Sequence, residues 1–261
     1  MEQKNPIQVA GRIFDVMELL AESGSIGLMD LSGALGLNKT TAYRVLSSLI
    51  YMGYARQNEA TGKYEPTLKI VDMANKIMSK VDVVQIVRPY LRKLMEATGE
   101  TVHFVERDGT EAVYIDKVES FSNGIQMVSR IGSRVPLYCS GVGKAMTAQM
   151  DEWEAEEIWN GSRIVSLTPY TITDYGEFKK ELEQIRQIGY ALDNEENEIG
   201  VRCIACSLKD ALGRANYAFS ISAPVSRMDN ERIRELAGYV LKAGREMEDR
   251  LTDGDGRGRK K

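Results

Sequence analysis

The sequence predicts an α+β protein with an N-terminal winged helix-turn-helix, a connecting helix and a C-terminal α/β domain. Three observations carry that expectation. Residues 7–53 hold three short helical periods ended by glycines, and a hairpin pattern follows them. Helical spacing resumes over 68–80. Beyond Gly99 short strand-like runs alternate with helical stretches, the signature of a mixed domain. The 261 residues are 43% hydrophobic with only 6 prolines, enough for two cores and contrary to a disordered or collagen-like chain.

In the first helix, over 7–22, Ile13, Met17 and Leu20 form one apolar stripe, and Ser23-Gly24 stops it. A second helix, 28–35, turns Leu31, Ala34 and Leu35 inward and meets Gly36 where a left-handed cap is favoured. Asn38 offers its side-chain oxygen to the free amides of a third helix, 39–52, which ends at Gly53. Strand-like residues 54–57 and 63–65 flank a turn bearing Gly62, and Pro66 breaks the pattern. Residues 1–66 thus form the winged module, and 67–80 the linker helix. A further helical pattern runs to Thr98, interrupted at Pro89. Strands are expected at 102–105, 112–115, 125–128, 201–208 and 217–222, and helices at 143–150, 151–159, 175–188 and 230–250. These make up a domain over 81–251, and the Gly-rich charged tail, 252–261, is expected to be disordered.

No window reaches the roughly 18 uninterrupted apolar residues of a membrane span. The opening residues lack the basic-then-apolar pattern of a secretory signal, so a cytoplasmic location is expected. Three cysteines, Cys139, Cys203 and Cys206, are too few and too odd in number for a disulfide framework. With 34 Lys+Arg against 38 Asp+Glu the chain has no general pull toward nucleic acid, so such affinity requires a local patch.

The third helix supplies one. Ala42, Val45, Leu46 and Leu49 gather on one side, and Thr40, Arg44, Ser47 and Tyr51 on the other. From Asn38 to Asn58 the only charges are Lys39, Arg44 and Arg56. Arginine can grip guanine bidentately, threonine methyls can touch thymine, and hydroxyls and helix amino ends hold phosphates. The candidate DNA-binding residues are therefore Asn38, Lys39, Thr40, Thr41, Tyr43, Arg44 and Ser47, with Arg56 and Lys63 of the hairpin meeting the adjacent backbone. The plainer alternative is a solvated helix face. One winged domain contacts too little duplex for high specificity, so dimers on a palindromic operator are expected.

A second constellation lies in the C-terminal domain. Ser220 and Ser222, two apart in a strand, point to one face. Gly141-Val142-Gly143-Lys144 opens a helix whose free amides favour a carboxylate, or else simply forms a tight turn. It is not a nucleotide phosphate loop, because Tyr138 and Ala145 stand where that motif needs Gly and Ser or Thr. His103 is better explained as a structural residue than as a catalytic one, and Cys203-x-x-Cys206 on a strand turns its thiols to opposite faces. A mixed metal site from His103, Cys139, Cys203 and a carboxylate is the weaker alternative. No catalytic residue, metal or cofactor is expected.

Residues 28–49 (LMDLSGALGLNKTTAYRVLSSL), Gly53-Tyr54, residues 61–64 (TGKY), residues 130–146 (RIGSRVPLYCSGVGKAM) and residues 189–203 (GYALDNEENEIGVRC) together resemble the IclR family of bacterial transcription regulators, over nearly the whole chain. The resemblance implies a GAF-like C-terminal domain that senses a small organic or sugar acid. It implies polar effector contacts from Asp193, Cys203, Ser220 and Ser222, backbone contacts from Gly141 and Val142, and an apolar wall of Met127, Val135 and Val201. Asp193 competes for a simpler role as a turn residue. Within the family the chain looks most similar to regulators that answer 2-keto-3-deoxygluconate. The resemblance also implies homodimers or homotetramers, and repression relieved by effector as the commoner pattern. The competing function is a metabolite- or zinc-binding sensor acting through protein contacts.

Overall fold

Asn38 and two glycines frame the first three helices. In the computed structural model, which describes residues 7–78, 82–119, 129–210 and 212–254, these are α1 (Gln8–Ser23), α2 (Leu28–Ala34) and α3 (Lys39–Tyr51). Gly36 and Gly53 take φ of 61° and 78°, the left-handed turn that lets the chain leave a helix at once. The Asn38 side chain accepts the Thr41 amide at 2.8 Å, as expected of an N-cap. Val16, Leu20, Leu31, Leu46 and Leu49 are buried together with Tyr64 of the hairpin. That hairpin pairs β1 (Ala55–Gln57) antiparallel with β2 (Tyr64–Pro66). Pro66 closes β2, at a strand end where a missing amide is tolerated. Tyr64 also exchanges both backbone hydrogen bonds with Ile26, which ties the wing to the α1–α2 turn. α4 (Lys69–Met78) completes the first compact unit, Met1–Lys80.

The second unit, Val81–Lys261, begins with α5 (Asp82–Thr98). Its strands are β3 (Thr101–Asp108), β4 (Glu111–Val118), β5 (Arg134–Pro136), β6 (Ala191–Asn194), β7 (Val201–Leu208) and β8 (Tyr217–Pro224). They form one antiparallel sheet in the order β5-β4-β3-β8-β7-β6. Between them come α6 (Gly141–Thr147), α7 (Glu152–Gly161) and α8 (Tyr175–Ile188), and α9 (Asn230–Gly254) follows β8. Neighbouring residues of β7 show how the sheet is covered. The Ala205 side chain approaches Gly141 of α6, and the Cys206 sulfur approaches Gly244 of α9, so α6 and α9 lie on opposite faces.

Three expectations are corrected. Helix α5 runs through Pro89 instead of breaking there. Val84, Val87, Leu91 and Leu94 form an unbroken buried stripe, while Gln85, Arg88 and Pro89 face solvent, so the carbonyl deprived of its donor lies where water can take it. The tail does not begin at 252, because α9 continues to Gly254; adding a turn to an existing helix is far easier than starting one. Strands β5 and β6 were not anticipated: each has four residues or fewer, and pairing along β4 and β7 creates them. The strand expected at 125–128, the end of the linker at 79–80 and residues 255–261 lie outside the described residues.

Candidate functional site

The polar side of α3 is open. Lys39, Thr40, Tyr43 and Arg44 are exposed, and Tyr51 at the far end of the same face is 92% exposed. Ala42, Val45, Leu46 and Leu49 are buried against the rest of the unit. Thr41 and Ser47 are half-buried, so they flank the face instead of projecting from it. Thr41, Arg44 and Ser48 line a cleft against α1 that also takes in Val9, Arg12 and Ile13. Arg12 is thus a basic neighbour of the face that periodicity within α3 could not reveal. Asn38 spends its oxygen on the cap. Arg56 is not a free cation: it pairs with Glu65 at 2.9 Å, and Glu65 also accepts from Asn58. Lys63 is exposed at the turn. Lys69 at the start of α4 donates to the Met52 carbonyl at 2.5 Å and lies over the Tyr54 ring, which fixes the carboxyl end of α3.

In the second unit a cavity of about 250 Å³ opens between the sheet and α6. Of the nine residues expected there, Val135, Gly141, Val142, Asp193, Val201, Cys203, Ser220 and Ser222 line it, and Met127 lies outside the described residues. Strand register brings them together. Asp193, Cys203 and Ser222 are direct cross-strand partners across β6, β7 and β8, and Ser220 faces His103 of β3. His103, Tyr114, Ser129, Ser133 and Asn197 also line the cavity and were missed. The signal for His103 was positional: only once β3 stands beside β8 does it fall opposite Ser220.

Burial, with Lys117 nearby, lowers the His103 pKa to about 3, so the ring is neutral. Its Nδ1 lies 3.2 Å from Ser222 Oγ and its Nε2 2.6 Å from Ser129 Oγ. Burial, reinforced by Glu196, pushes Asp193 up to about 7, so near neutrality it can meet an acidic ligand in its protonated form. Asp193 lines the cavity, and its Oδ1 accepts the Glu196 amide at 2.8 Å, a contact of the turn role weighed for it. Burial also raises the Tyr114 phenol and the Cys203 thiol, which therefore stay neutral.

Helix α6 is built around contacts its sequence dictates. Ser140 accepts the Gly143 amide at 3.1 Å, and the first intrahelical bond runs from Lys144, which leaves the amides of Gly141 and Val142 ahead of it at the cavity wall. A side chain on Gly141 would press on the Asp193 amide at 3.3 Å. Lys144 points away from the cavity into the protein, where it pairs with Glu196 and, at 2.9 Å, with Glu181. Cys203 faces the cavity and Cys206 faces α9, as strand alternation requires, while Cys139 is buried in the core. Among the described residues no three His, Cys, Asp or Glu side chains are placed to hold a metal ion, and no helix is long and apolar enough to cross a membrane.

Comparison with known proteins extends over both units. Residues 9–59 match the IclR helix-turn-helix domain, and residues 75–249 match the bacterial transcriptional regulator IclR C-terminal domain. The chain is 34% identical over 246 residues to the HTH-type transcriptional regulator KdgR of Escherichia coli K12, covering 94% of this chain and 93% of that protein. It is 32% identical over 244 residues to the transcriptional repressor IclR of the same organism, covering 92% and 89%. Among solved structures, Thermotoga maritima IclR superimposes with a TM-score of 0.82 at 31% identity, covering 93% of this chain and 98% of that one.

Proposed function

This chain belongs to the IclR family of DNA-binding transcriptional regulators, and on that premise we propose that it is a repressor whose cavity binds a small sugar acid, 2-keto-3-deoxygluconate, to control its hold on an operator. The family is one of regulators, not enzymes. One observation carries the effector assignment: the cavity gathers the Ser220 and Ser222 hydroxyls, Asp193 and the leading amides of α6 around about 250 Å³. Ligand pockets for drug-sized molecules run to roughly 300–1,000 Å³, so this one suits a small acid. Its many hydrogen-bonding groups match a keto acid bearing several hydroxyls.

On DNA, α3 enters the major groove. Thr40, Tyr43 and Arg44 meet base edges with Ser47 at the margin of the face, Asn38, Lys39 and Thr41 anchor its amino end to phosphates, and Lys63 of the wing meets the neighbouring backbone. Arg56 joins them by exchanging Glu65 for a phosphate. Two copies, or four, engage a palindromic operator in the cytoplasm. Leu68, Ile70, Val71 and Met73 at and in α4 are exposed, an apolar surface suited to pairing two chains. Effector control follows if the acid prefers the assembly whose DNA-binding units are wrongly spaced.

The purified protein is expected to retard a fragment of its own upstream DNA, and 2-keto-3-deoxygluconate is expected to release it where pyruvate and glyoxylate do not. Release by pyruvate or glyoxylate alone overturns the effector. No retardation at low salt would favour a sensor acting through protein contacts.

A further inference from the structure

Carbonyls at the carboxyl end of a helix have no helical amide ahead to bond, and they carry the negative end of its dipole. After α3 the carbonyls of Met52, Gly53 and Tyr54 follow one another, and the residues that open α4 take all three. Lys69 Nζ donates to Met52 at 2.5 Å, the Thr67 hydroxyl to Gly53 at 2.7 Å, and the Thr67 amide to Tyr54 at 2.9 Å. Thr67 Oγ1 also accepts the Lys69 amide at 3.3 Å, at the first turn of α4. The lysine chain lies across Gly53, where a Cβ would stand 3.7 Å from its Cδ, and its ammonium is 4.6 Å from the centre of the Tyr54 ring.

Thr67 stands before α4, so of these three donors only the lysine ammonium belongs to the helix itself. Lys69 to Ala74 are all exposed, so no buried face fixes that stretch of α4 against the rest of the unit. The direction of α4 is therefore set at this joint, where a flexible side chain grips the end of the reading helix. We infer that Lys69 is a positioning residue: it fixes the angle at which α4 leaves α3, and thereby the separation at which two paired copies present α3 to DNA. In this role the lysine touches neither a base nor the effector. The inference rests on α3 reading DNA and on α4 pairing the chains.

Fluorescence anisotropy of the full chain tests it on three duplexes: one operator half-site, both half-sites at their native spacing, and both with two base pairs inserted between them. The insertion moves one half-site by about 7 Å and turns it by about 70°, at roughly 34 Å and 10 base pairs to the turn. The wild type is expected to bind the lengthened duplex about tenfold more weakly or worse, because the second half-site then loses its contacts. Lys69→Met should bind the single half-site as the wild type does and shrink the spacing penalty about two- to fivefold, the range a cation at a helix carboxyl end provides. Lys69→Arg, which can still donate to Met52 and lie over Tyr54, should keep the wild-type penalty. An unchanged penalty in Lys69→Met, a loss on the single half-site as large as on the operator, or a Lys69→Arg profile that follows Lys69→Met overturns the inference. If the wild type binds the operator but ignores the spacing, the inference alone fails; if it binds no duplex, the DNA-reading assignment fails and the inference falls with it.

Discussion

Gly143→Ala is expected to abolish folding of the C-terminal unit, at a cost of about 4 kcal/mol or more, the range reserved for severe clashes. A Cβ on Gly143 would lie 2.3 Å from Leu137 Cα and 2.4 Å from its carbonyl oxygen. Both are backbone atoms of the segment leading into α6, so no side-chain rotation relieves the overlap. Moving α6 outward would pull apart the core in which Leu137, Tyr138, Val142 and Met146 are buried together. Gly33→Ala is the matched control: it too is a helical glycine, but its new Cβ meets nothing within 4 Å. That change should stabilise α2 by roughly 0.5–1 kcal/mol. Both tryptophans, Trp153 and Trp159, lie in the C-terminal unit, so urea unfolding followed by their emission reports on that unit alone: Gly143→Ala should abolish this transition, Gly33→Ala should leave it unchanged, and the gain in α2 is read by far-ultraviolet circular dichroism.

Lys144→Ala is expected to cost about 3–5 kcal/mol, because it strips the partner from two carboxylates while leaving them in place. Lys144 is fully buried; burial works against its charge, but Glu196 and Glu181 outweigh it and hold the ammonium protonated. Glu196 already sits above the ordinary carboxylate range through burial, and one of its oxygens is buried without a hydrogen-bond partner. Without the lysine its folded-state pKa rises further, so the folded form binds more protons than the unfolded chain above about pH 4.3. Stability of the variant then falls as pH rises from there, and its deficit against the wild type is larger at pH 7.5 than at pH 5. Lys144→Met combined with Glu196→Gln removes both charges and should recover most of the loss. Urea midpoints at the two pH values check the sign, and a deficit that grows toward acid contradicts the pairing.

Local signals made the winged module legible. Gly36, Asn38 and Gly53 mark the ends of α2 and α3 by rules of backbone conformation and capping that need no tertiary information. Ser220 and Ser222 were legible for the same reason, since strand alternation alone puts them on one face. The ion pair of Arg56 with Glu65 was not, because it depends on hairpin register, and neither was the place of His103, which depends on β3 lying beside β8. Pro89 misled because a local rule met an unbroken buried stripe that overrode it. Eight expected cavity residues came together because the family resemblance carried the register that periodicity lacks.

In the proposed function the exposed side of α3 supplies specificity for DNA, and Arg44 is its only arginine. Fluorescence anisotropy of the full chain on its operator, compared with scrambled duplex at equal salt, measures this directly. Arg44→Ala should weaken the specific complex by about 1–3 kcal/mol and reduce discrimination between the two duplexes, as expected for a lost base contact. Unchanged affinity and unchanged discrimination, with the variant still folded, would mean that this face does not read the duplex.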